Sequence, residues 1–209
     1  IDAIGGARPF IMNPDALCGP FVPRGLTGGP LPSPYQPVES PGANLLYRQQ
    51  DNPPAKKWVR DDNPIHDVGD PRFPHVLTTY RLTEHHTGGT PTRGVPSTAE
   101  LQPEGFVEIP PELAKELEIE TRDWVVLTTA RGAIETRALV TERLAPFEYQ
   151  GQRLYQIGLP WHYGWTGYAT GEPANVLTAI VGDPNTSMHE NKALTCGLRR
   201  GRLRRGAPP

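Results

Sequence analysis

Proline is concentrated in the first third of this chain, and that distribution limits the local structure more than any other feature. Fourteen of the 25 prolines precede His75 in a chain of 209 residues. Each proline disfavours the helical conformation for the residue before it, so no long helix is expected across residues 1–72. Aromatic side chains such as Phe21, Tyr35 and Trp58 recur between the prolines. An unfolded linker would contain fewer of them, so the sequence predicts an extended arm that packs on another surface.

The rest of the chain has ordinary globular patterning, and it predicts a mainly β fold with short helices over residues 73–198. Strands are expected where β-branched and aromatic residues cluster between turns, at residues 75–80, 106–109, 124–128, 134–140 and 154–159. A short helix is expected at residues 112–117, because the two prolines before it suit the first turn of a helix. The apolar run 176–181 fits either a strand or a helix. Several short strands, one short helix and long loops together indicate a small closed barrel.

Charge and composition exclude several classes of protein. The formal net charge is −2 at pH 7, so the body of the chain lacks the basic surplus of a nucleic-acid-binding domain. No apolar stretch approaches the roughly 20 residues of a membrane-spanning helix. Cys18 and Cys196 are the only cysteines, and they have no spacing for zinc, an iron–sulfur cluster or a disulfide framework. Two free thiols slightly favour a reducing, cytoplasmic compartment and leave the location otherwise open.

A basic tail is expected at residues 199–209. It contains the five arginines Arg199, Arg200, Arg202, Arg204 and Arg205. Charge runs near the end of a chain are usually solvated, so a solvated end is the first interpretation. Contact with an acidic partner or with a phosphate group is the alternative.

Motifs for catalysis by the polypeptide itself are missing. The sequence has no P-loop, no G-x-S-x-G and no H-E-x-x-H. His85 and His86 are adjacent, which points their side chains apart in an extended chain, and the other histidines show no ligand spacing. We therefore predict no catalytic residue and no metal-ligating side chain in this chain.

Two stretches nevertheless carry groups suited to an anionic, heteroaromatic ligand. Residues 79–93 follow a predicted strand and combine arginine, threonine and histidine with the Gly88–Gly89 pair. Arginine forks match phosphate, and glycines let backbone N–H groups approach a ligand closely. An ordinary polar surface loop is the alternative. Residues 160–168 hold four aromatic rings and a histidine, which suits either stacking on a planar ligand or filling a core.

Several blocks of sequence, taken in order, point to one family. They are residues 73–85, 106–109, 131–132, 160–164, 174–178, 182–186 and 190–193. In this order the blocks resemble the molybdopterin-dinucleotide-binding domain of formate dehydrogenases. Parts of the arm, at residues 9–12, 29–32 and 39–41, are similar to the segment that precedes this domain in the same enzymes. The resemblance therefore extends over nearly the whole chain and is weakest in the basic tail.

The resemblance implies a fold, a cofactor and a reaction. The fold is a double-psi β-barrel, here preceded by the proline-rich arm. The cofactor is a bis-molybdopterin guanine dinucleotide that carries molybdenum or tungsten. The reaction is the oxidation of formate to carbon dioxide, with electrons leaving through iron–sulfur clusters. The protein's usual share in such enzymes is to bind and orient the cofactor, which performs the redox step.

By position, the resemblance also implies eleven cofactor-binding residues. Those expected to line the dinucleotide are Thr79, Arg81, Thr83, His85 and Thr87. Those expected to let the ligand approach the backbone closely are Gly88 and Gly89. Those expected to face a pterin are His162 and Gly164, and those expected to hold the other polar parts are Asn175 and Lys192.

The chain also departs from the family. The family's metal-ligating cysteine or selenocysteine and its cysteine cluster for an iron–sulfur centre are not visible, and neither Cys18 nor Cys196 lies in a matching neighbourhood. The substrate-facing histidine and arginine are likewise expected upstream. We therefore expect part of a formate dehydrogenase catalytic subunit, inactive by itself, whose partners are the remaining N-terminal part and electron-transfer subunits. The alternatives are a separate cofactor-binding subunit of another molybdopterin oxidoreductase, or a non-catalytic double-psi barrel that serves as an interaction module.

Overall fold

The computed structural model describes residues 35–58, 60–164, 166–184 and 187–204. The strands are β1 (Lys56–Lys57), β2 (His75–Tyr80), β3 (Phe106–Ile109), β4 (Trp124–Thr128), β5 (Ala133–Val140), β6 (Phe147–Tyr149), β7 (Gln152–Leu154), β8 (Gln156–Pro160), β9 (Val181–Gly182) and β10 (Leu194–Arg200). The helices are α1 (Thr90–Arg93), α2 (Pro96–Leu101), α3 (Pro111–Glu116) and a 3-10 turn at Ala174–Val176. The expectations for Cys18 and for the first half of the arm lie outside the described residues.

Six of the strands close into a barrel in the order β10-β2-β8-β3-β5-β4. The pairs β2·β8 and β3·β5 are parallel, and the other four pairs around the barrel are antiparallel. The predicted mainly β fold with short helices and a closed barrel is therefore confirmed. None of the helices in the described ranges is long and apolar enough to cross a membrane.

The apolar side chains of the barrel strands converge on one core. Its largest fully buried members include Leu77, Ile109, Leu127 and Ile157, and helix α3 covers them with Leu113. Helix α3 begins after Pro110, carries Glu112 near its positive N-terminal end and ends at Glu116. Truncating a fully buried leucine to alanine costs about 2–5 kcal/mol of stability, so Leu113 is a large part of what holds the helix in place.

A second, smaller cluster lies outside the barrel. Ala99 of helix α2 packs with Tyr163 and Ala169, and Leu82 covers them. Leu82 and Tyr163 come from the two stretches that were predicted to bind a ligand, Ala169 directly follows the second stretch, and Ala99 comes from the helix between them. The cluster therefore fixes these stretches against each other.

Within the described residues 199–204 of the expected basic tail, the arginines are exposed, and some of them also contact the barrel. Strand β10 pairs with β4 as far as Arg200, so Arg199 and Arg200 belong to the barrel. Arg200 forms an ion pair with Asp123 at 2.9 Å. Arg202 contacts Glu135 at 2.8 Å, and its guanidinium lies 4.2 Å from the centre of the Trp124 ring. The acidic partners are distant in sequence, so the run of arginines alone did not predict these contacts.

The described part of the arm is attached to the barrel. Strand β1 pairs with β9, and the side-chain amide of Asn63 bonds the backbone of Ile180 through both its nitrogen and its oxygen. Glu39 is buried and forms a bidentate ion pair with Arg131, whose Nε also donates to the carbonyl of Leu177 at 3.0 Å. These contacts connect residues 35–72 to the same body as the barrel.

Candidate cofactor-binding site

Two loops leave the barrel side by side. Strands β2 and β8 are parallel, and Tyr80 at the end of one pairs with Pro160 at the end of the other. The backbone N–H of Trp161 donates to the carbonyl of Tyr80 at 3.0 Å. Parallel strands that end in register place the segments after them at the same edge of the sheet. The first loop, residues 81–93, and the second loop, residues 161–169, therefore start as neighbours.

His162 joins the two loops. Its side chain is fully buried. Nε2 lies 2.6 Å from the backbone N–H of Leu82, and Nδ1 lies 2.7 Å from the carbonyl of Thr87. Because a backbone N–H can only donate, Nε2 accepts and Nδ1 carries the proton and donates. The ring is thus held neutral, in one tautomer, between the start and the end of the first loop.

Burial lowers the pKa of His162, and the nearby positive charge of Arg81 lowers it further. The protonated ring could not accept from Leu82, so neutral His162 stabilises the folded state. This stabilisation is complete above the ordinary histidine pKa of about 6.5 and is lost as the pH falls toward the lowered pKa of the folded protein.

We expect the free energy of unfolding to decrease as the pH falls below about 6.5, and His162→Asn to show a weaker decrease. Unfolding in urea between about pH 5 and 7.5 measures both. Burial also lowers the pKa of His75, but that residue is retained in the variant, so the difference between the two proteins reports His162. Parallel pH profiles would show that folding does not change the pKa of His162.

Arg93 is the residue in this region that the sequence analysis missed. It is 5% exposed. Nε donates to the carbonyl of Thr166 at 2.8 Å, and Nη1 donates to the carbonyls of Gly88 and His162, each at 2.7 Å. Arg93 therefore ties the end of the first loop to the second loop. Nothing local distinguishes it from Arg81 in the same stretch, since its acceptors are up to 73 residues away.

Two glycines leave the space that this arrangement needs. Gly89 has a φ of +86°, which favours glycine, and a Cβ there would overlap the carbonyl oxygen of His162. A Cβ on Gly164 would lie 3.1 Å from Nη2 of Arg93. Gly88, in contrast, has no neighbour near the place of its missing Cβ, so it is open. The two glycines of the predicted pair thus have different environments.

The other predicted residues of the first loop divide into buried and exposed ones. His85 is buried, with Nδ1 at 3.0 Å from the hydroxyl of Thr92 and Nε2 at 2.9 Å from the carbonyl of Gln102. Thr83 and Thr87 are exposed. Thr87 has a φ of +48°, an uncommon conformation for a β-branched residue, and its carbonyl is the one that His162 holds.

Thr79 and Lys192 meet at the end of β2. The hydroxyl of Thr79 donates to the carbonyl of Asn191 at 2.8 Å, and Nζ of Lys192 donates to the carbonyl of Thr79 at 3.0 Å. A cavity of about 370 Å³ lies against Lys192. Arg81 is exposed and its guanidinium is 5.6 Å from the centre of the Trp161 ring. Two cationic side chains therefore flank the origin of the two loops.

Asn175 lies in a different environment. It is exposed, in the 3-10 turn, and its carbonyl accepts from the hydroxyl of Thr178 at 3.4 Å. The neighbouring Leu177 accepts from the side chains of Thr129 and Arg131, in the connection between β4 and β5. The contacts of this turn are with that connection, and none of those in the described ranges joins Asn175 to the two loops.

Comparison with known proteins identifies the domain. A family model described as "Molydopterin dinucleotide binding domain" matches residues 76–195, which is more than half of the chain. The chain belongs to this family. The match begins inside strand β2 and ends inside β10, so it contains nearly all of the closed barrel and both loops.

The curated relatives are subunits of formate dehydrogenases. The chain is 40% identical over 196 residues to formate dehydrogenase 2 subunit alpha (cytochrome c-553) of Nitratidesulfovibrio vulgaris, covering 93% of this chain and 19% of the relative. It is 40% identical over 190 residues to the formate dehydrogenase-O major subunit of Escherichia coli, covering 90% and 18%. This dinucleotide-binding domain therefore spans about a fifth of the length of the relatives that it matches.

A more distant relative is also a formate dehydrogenase subunit. The F420-dependent formate dehydrogenase 1 subunit alpha of Methanococcus maripaludis is 30% identical over 162 residues, covering 76% of this chain and 22% of the relative. All three relatives are named as formate dehydrogenase subunits, and two of the names also mention cytochrome c-553 or F420.

Proposed function

We propose that this domain holds a molybdopterin guanine dinucleotide cofactor, with molybdenum or tungsten, in the catalytic subunit of a formate dehydrogenase. The observation that carries the proposal is the extent of the similarity: formate dehydrogenase subunits align with 90–93% of this chain at 40% identity. The chain covers 19% of that relative, so formate oxidation is proposed for the whole enzyme and cofactor binding for this part of it.

The residues present fit an anionic dinucleotide. Phosphates are bound by guanidinium and ammonium groups and by backbone N–H groups at glycines. Arg81 and Lys192 supply positive charge next to the two loops, and Gly88 is exposed with no atom within 4 Å of the place of its missing Cβ. Gly89 lets the first loop pass close to the backbone of His162. The donor set is cationic and polar, as the cofactor's phosphates require.

The roles proposed for the single residues follow from their contacts. The bound metal and its pterin ligands would supply the two-electron redox chemistry. Arg81 and Lys192 would pair with phosphate oxygens, and the exposed hydroxyls of Thr83 and Thr87 would bond to the same ligand. Thr79 would keep Lys192 in place. His85 and His162 would position the loops. The roles of Gly164 and Asn175 rest on the resemblance.

His85 and His162 are proposed to position the loops. Both rings are buried and each ring nitrogen already contacts another group of this chain, so neither has a nitrogen left for the cofactor. The ring centres lie 5.8 Å apart. Together they hold the start, the middle and the end of the first loop. We therefore replace the direct contact that the resemblance implied for these two residues with a supporting role.

An exposed apolar turn of the arm supports the proposal of a larger subunit. Leu45 and Leu46 are 62% and 73% exposed, and Tyr47 lies beside them. The side chain of Asn44 accepts from the backbone N–H groups of Leu46 and Tyr47 at 2.9 and 3.1 Å, which gives the turn a defined shape. Contiguous apolar groups in a defined turn are typical of a contact surface. We propose that the remaining part of the catalytic subunit covers it.

The first test is to purify the protein from its own cells through a tag on this chain. The native mass, the molybdenum and tungsten content, pterin fluorescence after oxidation and the guanine nucleotide content are then measured. A larger assembly with metal and guanine nucleotide that oxidises formate supports the proposal. A chain that carries the dinucleotide but no further part of a catalytic subunit would favour the separate cofactor-binding subunit. Absence of pterin and nucleotide would contradict the proposal.

We expect Arg81→Ala and Lys192→Ala each to lower the guanine nucleotide content of that preparation, by about threefold to tenfold. Each removes one charge-assisted contact to phosphate, which is worth about 1.5–3 kcal/mol when buried and less when exposed. Arg60→Ala is the matched control, because Arg60 is also exposed and lies in the arm, where it pairs with Asp62. Unchanged nucleotide content in both loop variants would remove these two residues from the proposed site.

A further inference from the structure

Arg93 carries a positive charge that the described part of this chain does not neutralise. The residue is 5% exposed, and no carboxylate in that part lies within ion-pair distance of it. The comparison is Arg131, whose side chain is 4% exposed and forms a bidentate pair with Glu39. All three acceptors of Arg93 are neutral carbonyls. A buried charge is retained in proteins when it is paired, so the missing partner needs an explanation.

Arg93 lies between the two loops of the predicted cofactor-binding site. Its fork bonds the carbonyls of Gly88, His162 and Thr166, so the charge lies directly beneath the meeting point of the two loops. Nη2 donates to no acceptor among the residues that the structure describes. This nitrogen is the one that faces Gly164, where the absence of a side chain leaves it uncrowded. One of the guanidinium nitrogens is thus available at the predicted cofactor-binding site.

We propose that Arg93 positions the cofactor's phosphates, and that its uncompensated charge is neutralised by the bound dinucleotide. This inference rests on the proposed function and adds to it a buried cation beneath the loops. Arg81 is exposed and Lys192 lies at an open cavity, so water and salt weaken their attraction for an anion. A charge surrounded by protein acts through a lower effective dielectric and is screened less. The attraction of Arg93 for a bound phosphate should therefore depend less on salt than that of Arg81 or Lys192.

The test uses the assembly purified as above, in the wild type, Arg93→Lys and Arg93→Met. The rate at which guanine nucleotide leaves the protein after dilution is measured at low and high salt. Arg93→Met should release nucleotide roughly tenfold faster or more, the effect of one charge-assisted hydrogen bond, and this ratio should persist at high salt. Arg93→Lys keeps the charge, but its single nitrogen cannot span the three carbonyls that Nε and Nη1 of Arg93 reach, so its release rate should lie between the other two.

Two controls separate charge from loop structure. Leu113→Ala weakens the distant barrel core, so it lowers the melting temperature and should leave the release rate unchanged. Equal release from Arg93→Lys and Arg93→Met would show that only the fork's shape matters and would overturn the inference about charge. Wild-type release from Arg93→Met would overturn the inference altogether. If Arg93→Met does not fold, the neutral variant Arg93→Gln takes its place in the same comparison with Arg93→Lys.

The same experiment distinguishes failure of the proposed function from failure of the inference about Arg93. A wild-type preparation without pterin or guanine nucleotide contradicts the proposed function, and this inference fails with it. A loaded wild type with loaded, slowly releasing Arg93 variants contradicts this inference alone.

Discussion

Gly89→Ala is expected to lose the cofactor and about 2–5 kcal/mol of stability. The change places a Cβ where the carbonyl oxygen of His162 lies, 2.7 Å from the carbonyl carbon and 2.8 Å from Nη1 of Arg93. The neighbours are backbone and a buried guanidinium, so they cannot move away easily. The φ of +86° adds about 1–2 kcal/mol for any residue with a Cβ, and overpacking adds about 1–3 kcal/mol.

The matched control is the preceding residue. A Cβ on Gly88 meets nothing within 4 Å, so Gly88→Ala should change the free energy of unfolding by less than about 1 kcal/mol. Urea unfolding and the guanine nucleotide content of the purified assembly measure the two effects. A stable, loaded Gly89→Ala protein would mean that the first loop does not pass against His162 as described.

Glu39→Gln is expected to destabilise the protein by about 3–5 kcal/mol and to loosen the arm. The variant leaves the buried guanidinium of Arg131 without its charged partner, and breaking a buried ion pair by removing one member is strongly unfavourable. Glu39 lies in the arm and Arg131 lies between β4 and β5, so the pair connects the arm with the barrel. Unfolding in urea and protease cleavage within residues 42–58 measure the stability and the attachment.

An exposed ion pair of the same arm is the control for this prediction. Arg60 and Asp62 form a salt bridge with both side chains more than half exposed, and Asp62→Asn should cost less than about 1 kcal/mol. The double variant Glu39→Gln/Arg131→Met should cost less than the sum of the single variants, because their effects share one interaction. Additive costs and an unchanged cleavage pattern would show that the pair does not attach the arm.

The barrel strands could be predicted where the local pattern is strong. Residues 75–80, 106–109 and 124–128 form strands with the predicted bounds, because β-branched and aromatic residues clustered between turns are a local signal. The predicted strand at 154–159 is divided between β7 and β8. The ambiguous run 176–181 contains the end of a 3-10 turn and the start of β9. In both places the division depends on pairing with distant segments, which a local pattern does not contain.

Strand β10 was missed because its sequence ends in arginines. Only the first part of the strand is buried, and the charge run after it has the pattern of a solvated tail. Its partners Asp123 and Glu135 become visible only once β10 lies beside β4. Two of the arginines, Arg200 and Arg202, thus find acidic groups within this chain. Contact of the tail with a phosphate or an acidic partner stays a prediction.

The candidate site could be predicted as a set of loops more readily than as a set of roles. Thr79 and Lys192 were chosen separately and lie in contact. His162 was expected to face a pterin, and its ring instead bonds the first loop. The direction of each side chain was not predictable, because it depends on which backbone groups need a partner. Arg93 is the clearest example, because all three of its hydrogen-bond acceptors are backbone carbonyls of the two loops.

The closing strand of the barrel also determines when the site can form. Strand β10 lies between β2 and β4, so a strand made late in the synthesis of this domain completes a sheet begun by His75–Tyr80. Pairing over such a long stretch is slow and must wait until the ribosome has released the last strand. Lys192 and Asn191, which hold Thr79, come immediately before that strand. Cofactor loading is therefore expected to begin only after the ribosome has made the whole domain.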